Sequence, residues 1–447
     1  MNFENVKKAL IDALTECQID QYEVYYFSSK GTSVDTLNNE INAFSDGTTG
    51  GICLRVVSNG KIGYASSELM SDSEMKDLVY RAIENAKYIE KDDTVGLFAG
   101  STTYEKPNCA EFSALDTATL KELAQGIANN MFKYSDKVKD SSSSSAFTSE
   151  FSIRLFNSFG LDLENHCGVN GVMADAVVCE NDVFESAYKV EEYKKDIDIN
   201  AIAQKAVDDA FEKLGSGLVE TGKYNVILDG KQMRAILSAF SSVFSSKNAQ
   251  MGLSLLAGKE GEKIASDIVT ITDDPMREGV SIQTHFDGEG VATHRKNIIE
   301  NGVLKTLLYN RETALKAGKE STGNASKGSY AAPIGISPYS FCIEAGEFTL
   351  EQLFEKAENG IYITALKGLH AGANAVTGDF SIESAGFLIK DGKKAEAVKS
   401  FTIAGNFFEL LKSISALSDK IEMGLPSGFT GFGSPAVLIK DMSVAGK

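Results

Sequence analysis

Histidine, the commonest acid–base catalyst and metal ligand, is scarce in this sequence, so where it gathers with carboxylates is informative. The histidines are His166, His285, His294 and His370. None is followed by glutamate, so the zinc-binding HExxH pattern, which puts two imidazoles on one helical face, is absent. No GxSxG elbow, Walker A loop or dinucleotide-binding glycine fingerprint stands in the right context. The densest acid–base grouping is His285-x-Asp287-x-Glu289, with His294 nearby. In an extended chain these three side chains would share one face and could hold a divalent ion. Gly288 and Gly290 interrupt that extension, and the spacing fits no metal template. The favoured use of the carboxylates is a turn in which they accept backbone N–H bonds. A second cluster is Ser238, Ser241, Ser242, Ser245 and Ser246. A serine there becomes a nucleophile only beside a general base, and the sequence places none next to it; a solvated or groove-facing polar surface is expected. Asp196-x-Asp198-x-Asn200 begins like a calcium loop but lacks its sixth-position glycine and closing glutamate, so it reads as a helix start.

These residues need elements to position them. In the stretch 279–326, Val280, Ile282 and Thr284 alternate as in a half-buried strand. Asp287-Gly288-Glu289-Gly290 then makes a tight bend. Ile298 to Leu308 reads as a hairpin turning at Glu300-Asn301-Gly302, where Asn-Gly supplies the positive φ of a type I′ turn. A short helix from Arg311 to Lys316 stops at Gly318, and Ser321-Thr322-Gly323-Asn324-Ala325 forms a second polar glycine turn. Two glycine-rich bends framing a hairpin are expected to form a groove wall rather than core. The serines fall on a helix over 231–246, behind a strand Tyr224–Leu228. Met233, Ile236, Leu237, Phe240, Val243 and Phe244 give that helix its apolar stripe.

Elsewhere, apolar periodicity predicts helices over 2–17, 117–134 and 201–214, and one running from the Ser71/Glu74 capping box to about Ile89. Strands are expected over 22–27, 32–44 and 50–66, with a hairpin turn at Ser58-Asn59-Gly60-Lys61. A loop runs from Lys91 to Ser113. Ser141–Ser145 is read as an edge strand or its approach rather than a linker. A three-strand meander follows over 147–193, turning at Asn157-Ser158-Phe159-Gly160. Further helices are placed at 350–357, capped by Thr349 and Gln352, and at 407–417. The fold class is α+β in two domains: 1–218, with antiparallel strands, and 223–447, strand-rich and full of glycine turns. No fixed-period repeat is present.

The chain has 447 residues, with 44 Lys and Arg against 62 Asp and Glu, a formal charge of −18. That balance argues against nucleic acid or an anionic membrane as partner. Cys17, Cys53, Cys109, Cys167, Cys179 and Cys342 are scattered without a CxxC pair and are expected reduced. The N-terminus carries charges where a signal peptide needs an apolar run, and no apolar stretch approaches the roughly 18–20 residues that span a bilayer. A cytoplasmic protein is expected.

From about residue 224 onward the chain resembles the TldD/PmbA family of two-subunit peptidases, once called modulators of DNA gyrase. The matching pieces run in order: Val269-Thr270-Ile271 with Asp273-Asp274-Pro275, Phe286-Asp287-Gly288-Glu289-Gly290-Val291, and Ile299-Glu300-Asn301-Gly302-Val303-Leu304. Ser321-Thr322-Gly323-Asn324, Gly378-Asp379-Phe380-Ser381, Ala385-Gly386-Phe387, Thr402-Ile403-Ala404-Gly405-Asn406 and Val444-Ala445-Gly446 follow. The first half matches more loosely, at Asn157-Ser158-Phe159-Gly160 and in element order. Thr-Gly-Asn, Gly-Asp-Phe-Ser and Thr-Ile-Ala-Gly-Asn look like the PmbA, or TldE-type, branch.

The resemblance implies a division of labour. In the TldD branch the helix after the first strand of this half carries HExxxH, and a cysteine near the C-terminus adds a further zinc ligand. Those positions fall at Ser238, Ala239, Ser241, Ser242 and Val243. No histidine lies in 231–250 and no cysteine follows Cys342, so that zinc chemistry does not carry over. The expected function is a PmbA/TldE-type subunit of a cytoplasmic metallopeptidase acting on unfolded or extended peptide. It would hold no cofactor and would pair with a zinc-bearing TldD-type chain, or with itself. Asp287, Glu289, Gly290, Thr322, Gly323, Asn324, Gly378 and Asp379 are the candidates for its peptide groove or subunit joint. Two rival readings are an autonomous hydrolase using a serine of 238–246 or the His285/Asp287/Glu289 group, and a non-catalytic peptide- or protein-binding module.

Overall fold

The computed structural model describes residues 3–89, 95–108 and 112–447. Parts of the expected 91–113 loop, and Cys109, lie outside the described residues. The chain is mixed α and β, as its patterning implies. The N-terminal half contains α1 (Phe3–Glu16), β1 (Tyr22–Leu37), β2 (Glu40–Ser58), β3 (Lys61–Ser67), α2 (Asp72–Lys87), α3 (Thr117–Tyr134), β4 (Ser143–Asn157), β5 (Asp162–Glu180), β6 (Val183–Glu192) and α4 (Ile199–Phe211). Its strands form one antiparallel sheet in the order β3-β2-β1-β4-β5-β6. Because strand side chains alternate, one face takes Val24, Ile52, Leu54 and Phe156 against α1 and α2. The same face takes Val34, Ala146, Val172 and Ala174 against α3 and α4. The opposite face presents Glu23, Tyr25, Phe27, Cys53, Arg55, Ile153 and Leu155, and the C-terminal half lies across it.

The C-terminal half opens with β7 (Gly222–Leu228) and α5 (Gly230–Phe240), whose start Asp229 caps by accepting from the Gln232 N–H at 2.7 Å. β7 lies in a sheet with Gly360–Lys367, Asp379–Lys390, Lys393–Asn406 and Val437–Ala445. Thr402–Ala404 also pairs with Ser443–Ala445, which closes that sheet into a barrel. A second sheet contains Ile271–Asp273, Lys296–Glu300 and Ser340–Ile343, the last running parallel to Gly431–Ser434. The α5 stripe supplies much of the core between them: Met233, Ile236, Leu237 and Phe240 are fully buried, and Phe240 stacks on Phe407 at 4.6 Å. Among the described residues no helix is long and apolar enough to cross a membrane, and the described cysteines are free.

Several expected elements differ, each for a local reason. The 32–44 strand is broken by Asn38 and Asn39, both at positive φ, which turn β1 back into β2. Ser143–Ser145 begins β4, an interior strand between β1 and β5, not an edge; the buried Ser144 hydroxyl is satisfied by the Ala124 carbonyl and by Thr36. The 231–246 helix ends at Phe240 and passes through a 3-10 turn, Ser241–Phe244, into a short helix Ser246–Gln250. There the Ser241 hydroxyl donates back to the Ser238 carbonyl, the local competition that serines offer a helix. The helix expected over 407–417 stops at Ser413, and Ile414–Leu417 is a strand on Val437–Ala445. Asp198 caps α4 earlier than expected, accepting from Asn200 and Ala201. Residues 280–284 are not a strand. They run as a loop, buried from Ile282 to Thr284, in which the Gln283 side chain donates to the Arg277 carbonyl and the Thr284 carbonyl accepts from the Thr293 hydroxyl.

Candidate functional site

The two halves meet over the Tyr25 face of the N-terminal sheet. β1 and β4 contribute Tyr25, Phe27 and Ile153. Facing them are the turns at Thr284–Gly288, Ala325–Gly328, Ser337–Tyr339 and Ser427–Thr430, and together they enclose a cavity of about 400 Å³. Tyr25, Phe286 and Tyr339 are buried, Phe429 and Lys327 are half-buried, and Gly328 and Ser427 are exposed. The cavity therefore has an aromatic floor and an open rim. The Lys327 ammonium lies 4.8 Å from the centre of the Tyr25 ring.

Asp287 joins the two bends that the sequence singled out. One carboxylate oxygen accepts from the N–H groups of Glu289 and Val291 at 2.9 and 3.0 Å, and the other accepts from Ala325 at 2.9 Å. The side chain thus closes its own turn and fastens it to the Asn324–Ala325 turn. Burial, with Glu289 beside it, outweighs those N–H donors and pushes the Asp287 carboxyl up to about 7. Burial pushes the Tyr25 and Tyr339 hydroxyls up as well. Glu289 turns away from the cavity and accepts from the Arg311 N–H at 2.9 Å; burial raises its carboxyl despite Arg311. Close to it lies the buried pair Arg55–Glu23, at 2.9 Å. Gly290, at φ 81°, lets backbone press against Leu161, since a Cβ there would stand 2.7 Å from a Leu161 methyl.

Beneath the cavity wall lies a second buried polar group. Asn324 is fully buried and donates to Asp273 at 2.7 Å and to the Ser337 carbonyl at 3.0 Å. It accepts from Lys296 at 3.1 Å and from the Thr322 hydroxyl at 2.8 Å. Lys296 also pairs with Asp273 at 3.2 Å, and Asp273 accepts from the Tyr339 N–H at 2.7 Å. Removing one member of such a pair leaves an uncompensated buried charge, at a cost of about 3–5 kcal/mol. Gly323, at φ 67°, allows the close approach to Ala292 that seats this turn. The two glycine bends are therefore mostly core, and only Asp287, Gly288 and Ala325 to Gly328 reach the cavity.

The remaining sequence candidates lie elsewhere. Gly378 is buried against Phe408, and the exposed Asp379 accepts from Asn406 at 3.0 Å; both belong to the barrel. The Asn406 donor holds the Asp379 carboxyl below its usual range. Ser238 and Ser242 are exposed, Ala239 and Ser241 half-buried, and Val243 fully buried in the core. A zinc ion needs imidazole, thiolate or carboxylate donors. This stretch offers hydroxyls and hydrocarbon, so its residues do not fit that ion. The sequence grouped His285 with Asp287 and Glu289, but the turn gives both carboxylates to backbone donors instead. Burial lowers the His285 imidazole's pKa; the ring packs edge-on to Tyr104 and Phe286, and its Nδ1 has no partner among the described residues.

Sequence reasoning missed the cavity's opposite wall. Tyr25 and Phe27 sit in an aromatic run whose alternation marks one face, but nothing local shows what covers that face. Lys327 and Tyr339 lie 12 residues apart and Phe429 another 90 further along the chain, and only the fold gathers them against Tyr25.

The profile of the PmbA/TldA metallopeptidase C-terminal domain matches residues 221–446, and that of the PmbA/TldA metallopeptidase domain 1 matches 22–86. An uncharacterized protein of Methanocaldococcus jannaschii is 30% identical over 90% of this chain and 92% of its own length. Metalloprotease PmbA of Escherichia coli O157:H7 is 26% identical over 96% and 93%. A crystal structure described as a modulator of DNA gyrase from Thermotoga maritima superposes with a TM-score of 0.87 at 26% identity, covering 99% of this chain and 100% of that one. TldE from Thermococcus kodakarensis shares the fold, with a TM-score of 0.83 at 22% identity over 98% and 100%.

Proposed function

The chain belongs to the PmbA/TldD metallopeptidase family, and from that premise we propose that it is a PmbA/TldE-type subunit without a catalytic metal. The observation that carries this reading is the composition of α5 and its continuation. Residues 231–250 contain no histidine, and the helix gives way at Ser241 to a 3-10 turn with Val243 in the core. On this reading a zinc-bearing TldD-type chain supplies the Lewis acid that activates water for peptide hydrolysis. This chain contributes a peptide-holding surface, and an extended peptide is held by strand addition and side-chain pockets. Residues 1–218 and 223–447 act as two domains, and the pairing takes place in the cytoplasm. A homodimer through the same surface is the state expected when the partner is missing.

The test is metal analysis of the purified chain together with co-purification with an HExxxH-bearing relative. The expected result is no stoichiometric zinc in this chain, a stable complex with the relative, and peptide hydrolysis only by the complex. Zinc bound tightly by this chain alone, or hydrolysis by it alone that is lost on His285→Ala, would overturn the proposal.

A further inference from the structure

Resting on the peptide-holding role just argued, we propose that the cavity between the two halves is a specificity pocket for one bulky apolar side chain, above all an aromatic one. Its largest lining side chains are rings, set among small serines, threonines and glycines of the turns. They are Tyr25, Phe27, Phe286 and Tyr339, with Phe429 at the rim. Phe151 links Phe429 and Phe27, with ring centres 5.8 and 6.4 Å away, so the aromatic surface continues beyond the cavity along the sheet. Aromatic pairs favour offset and edge-on contacts at these distances, and a further ring entering between them gains contacts of the same kind. A volume of about 400 Å³ lies in the lower part of the range that small-ligand sites occupy. It suits a side chain and excludes a folded element.

The charges lining the cavity point the same way. Both oxygens of Asp287 are already engaged by backbone N–H groups, which leaves little to recruit a cationic side chain. Lys327 lies over the Tyr25 ring and repels an incoming lysine or arginine. An acidic side chain that reached the floor would find the N–H donors there already taken by Asp287, with only the Lys327 ammonium at the wall to attract it. With neither sign favoured, burial of apolar surface decides what binds.

The experiment uses the full-length chain and short, dye-labelled peptides of neutral sequence that differ in one central residue: Phe, Leu, Ala, Lys or Glu. Binding is read by fluorescence anisotropy. The Phe and Leu peptides are expected to bind about tenfold or more tightly than the other three. Ser427→Trp changes an exposed rim residue and plugs the mouth, so it abolishes the preference. Phe429→Ala removes a ring and weakens the Phe peptide selectively, which keeps the test open should the first variant fold poorly. Equal affinity for all five peptides, a preference for Lys, or a Ser427→Trp variant that is folded by circular dichroism and still selects Phe overturns the pocket. Those outcomes leave the subunit reading standing, because that reading is decided by zinc content and assembly with the HExxxH chain.

Discussion

Asp287 concentrates the residue-scale chemistry of this protein, because one carboxylate holds two turns together while it is almost wholly removed from water. Its carboxyl is raised from 3.8 to about 7 by burial. Between about pH 4 and about pH 7 the folded chain therefore keeps a proton that the unfolded chain has released. The stability this group contributes is full below the unfolded value, declines as pH rises through that window, and is flat above it. Asp287→Asn removes the titration and replaces an acceptor oxygen with a donor facing N–H groups. The variant is expected to be less stable than wild type by about 1–3 kcal/mol at low pH. It should also lose less stability than wild type between about pH 5 and about pH 7.5. Urea unfolding of both proteins at the two pH values checks this, and parallel pH dependences would refute it. Asp229 is raised to about 7 by burial in the same way, so only the difference between the two proteins isolates Asp287.

At the scale of elements, turns decide where the strands go. The Asn59-Gly60 and Asn301-Gly302 hairpins have the same backbone, with φ of 52° and 76° in the first and 49° and 80° in the second. Their surroundings differ. A Cβ on Gly60 meets nothing within 4 Å, whereas one on Gly302 would stand 2.5 Å from the Ala265 carbonyl oxygen and 2.8 Å from that of Ser266. Gly60→Ala is expected to cost about 1–2 kcal/mol for the left-handed conformation alone. Gly302→Ala should cost at least about 1 kcal/mol more, because backbone must move to admit the methyl group. Urea midpoints of the two variants give the comparison, and equal losses would show that the contact at Gly302 relaxes freely. The end of α5 follows similar local logic. Its apolar stripe continues to Phe244, but serines at 238, 241 and 242 offer the backbone other partners, and the helix gives way to a tighter turn.

Across the whole molecule, the halves are joined by polar side chains that reach from one to the other. Gln283 accepts from the Asn108 N–H at 2.8 Å and donates to its side chain at 2.7 Å, while its backbone carbonyl accepts from Asn165 at 3.0 Å. Arg311 donates to the carbonyls of Gly96 and Val95, each at 2.9 Å, and Tyr104 donates to that of Gly290 at 2.7 Å. Gln283→Ala strips the buried partners of Gln283 and is expected to cost about 2 kcal/mol or more. It should also split the calorimetric unfolding of the halves into resolved transitions, and an unchanged single transition would mean that the apolar contacts alone couple them. The sequence by itself determined much of this protein. Two-residue alternation and helical stripes marked most of the antiparallel strands and helices, Asn-Gly marked the hairpins at 59–60 and 301–302, and ordered motifs marked the family, because each is a local instruction in residue type and spacing. The tertiary structure alone decided that Ser144 lies in an interior strand, that Asp287 is buried, and that Tyr25 faces Tyr339 across a cavity. Which face is covered, and by what, depends on residues hundreds of positions apart, and burial rather than chemistry along the chain sets what those groups can do.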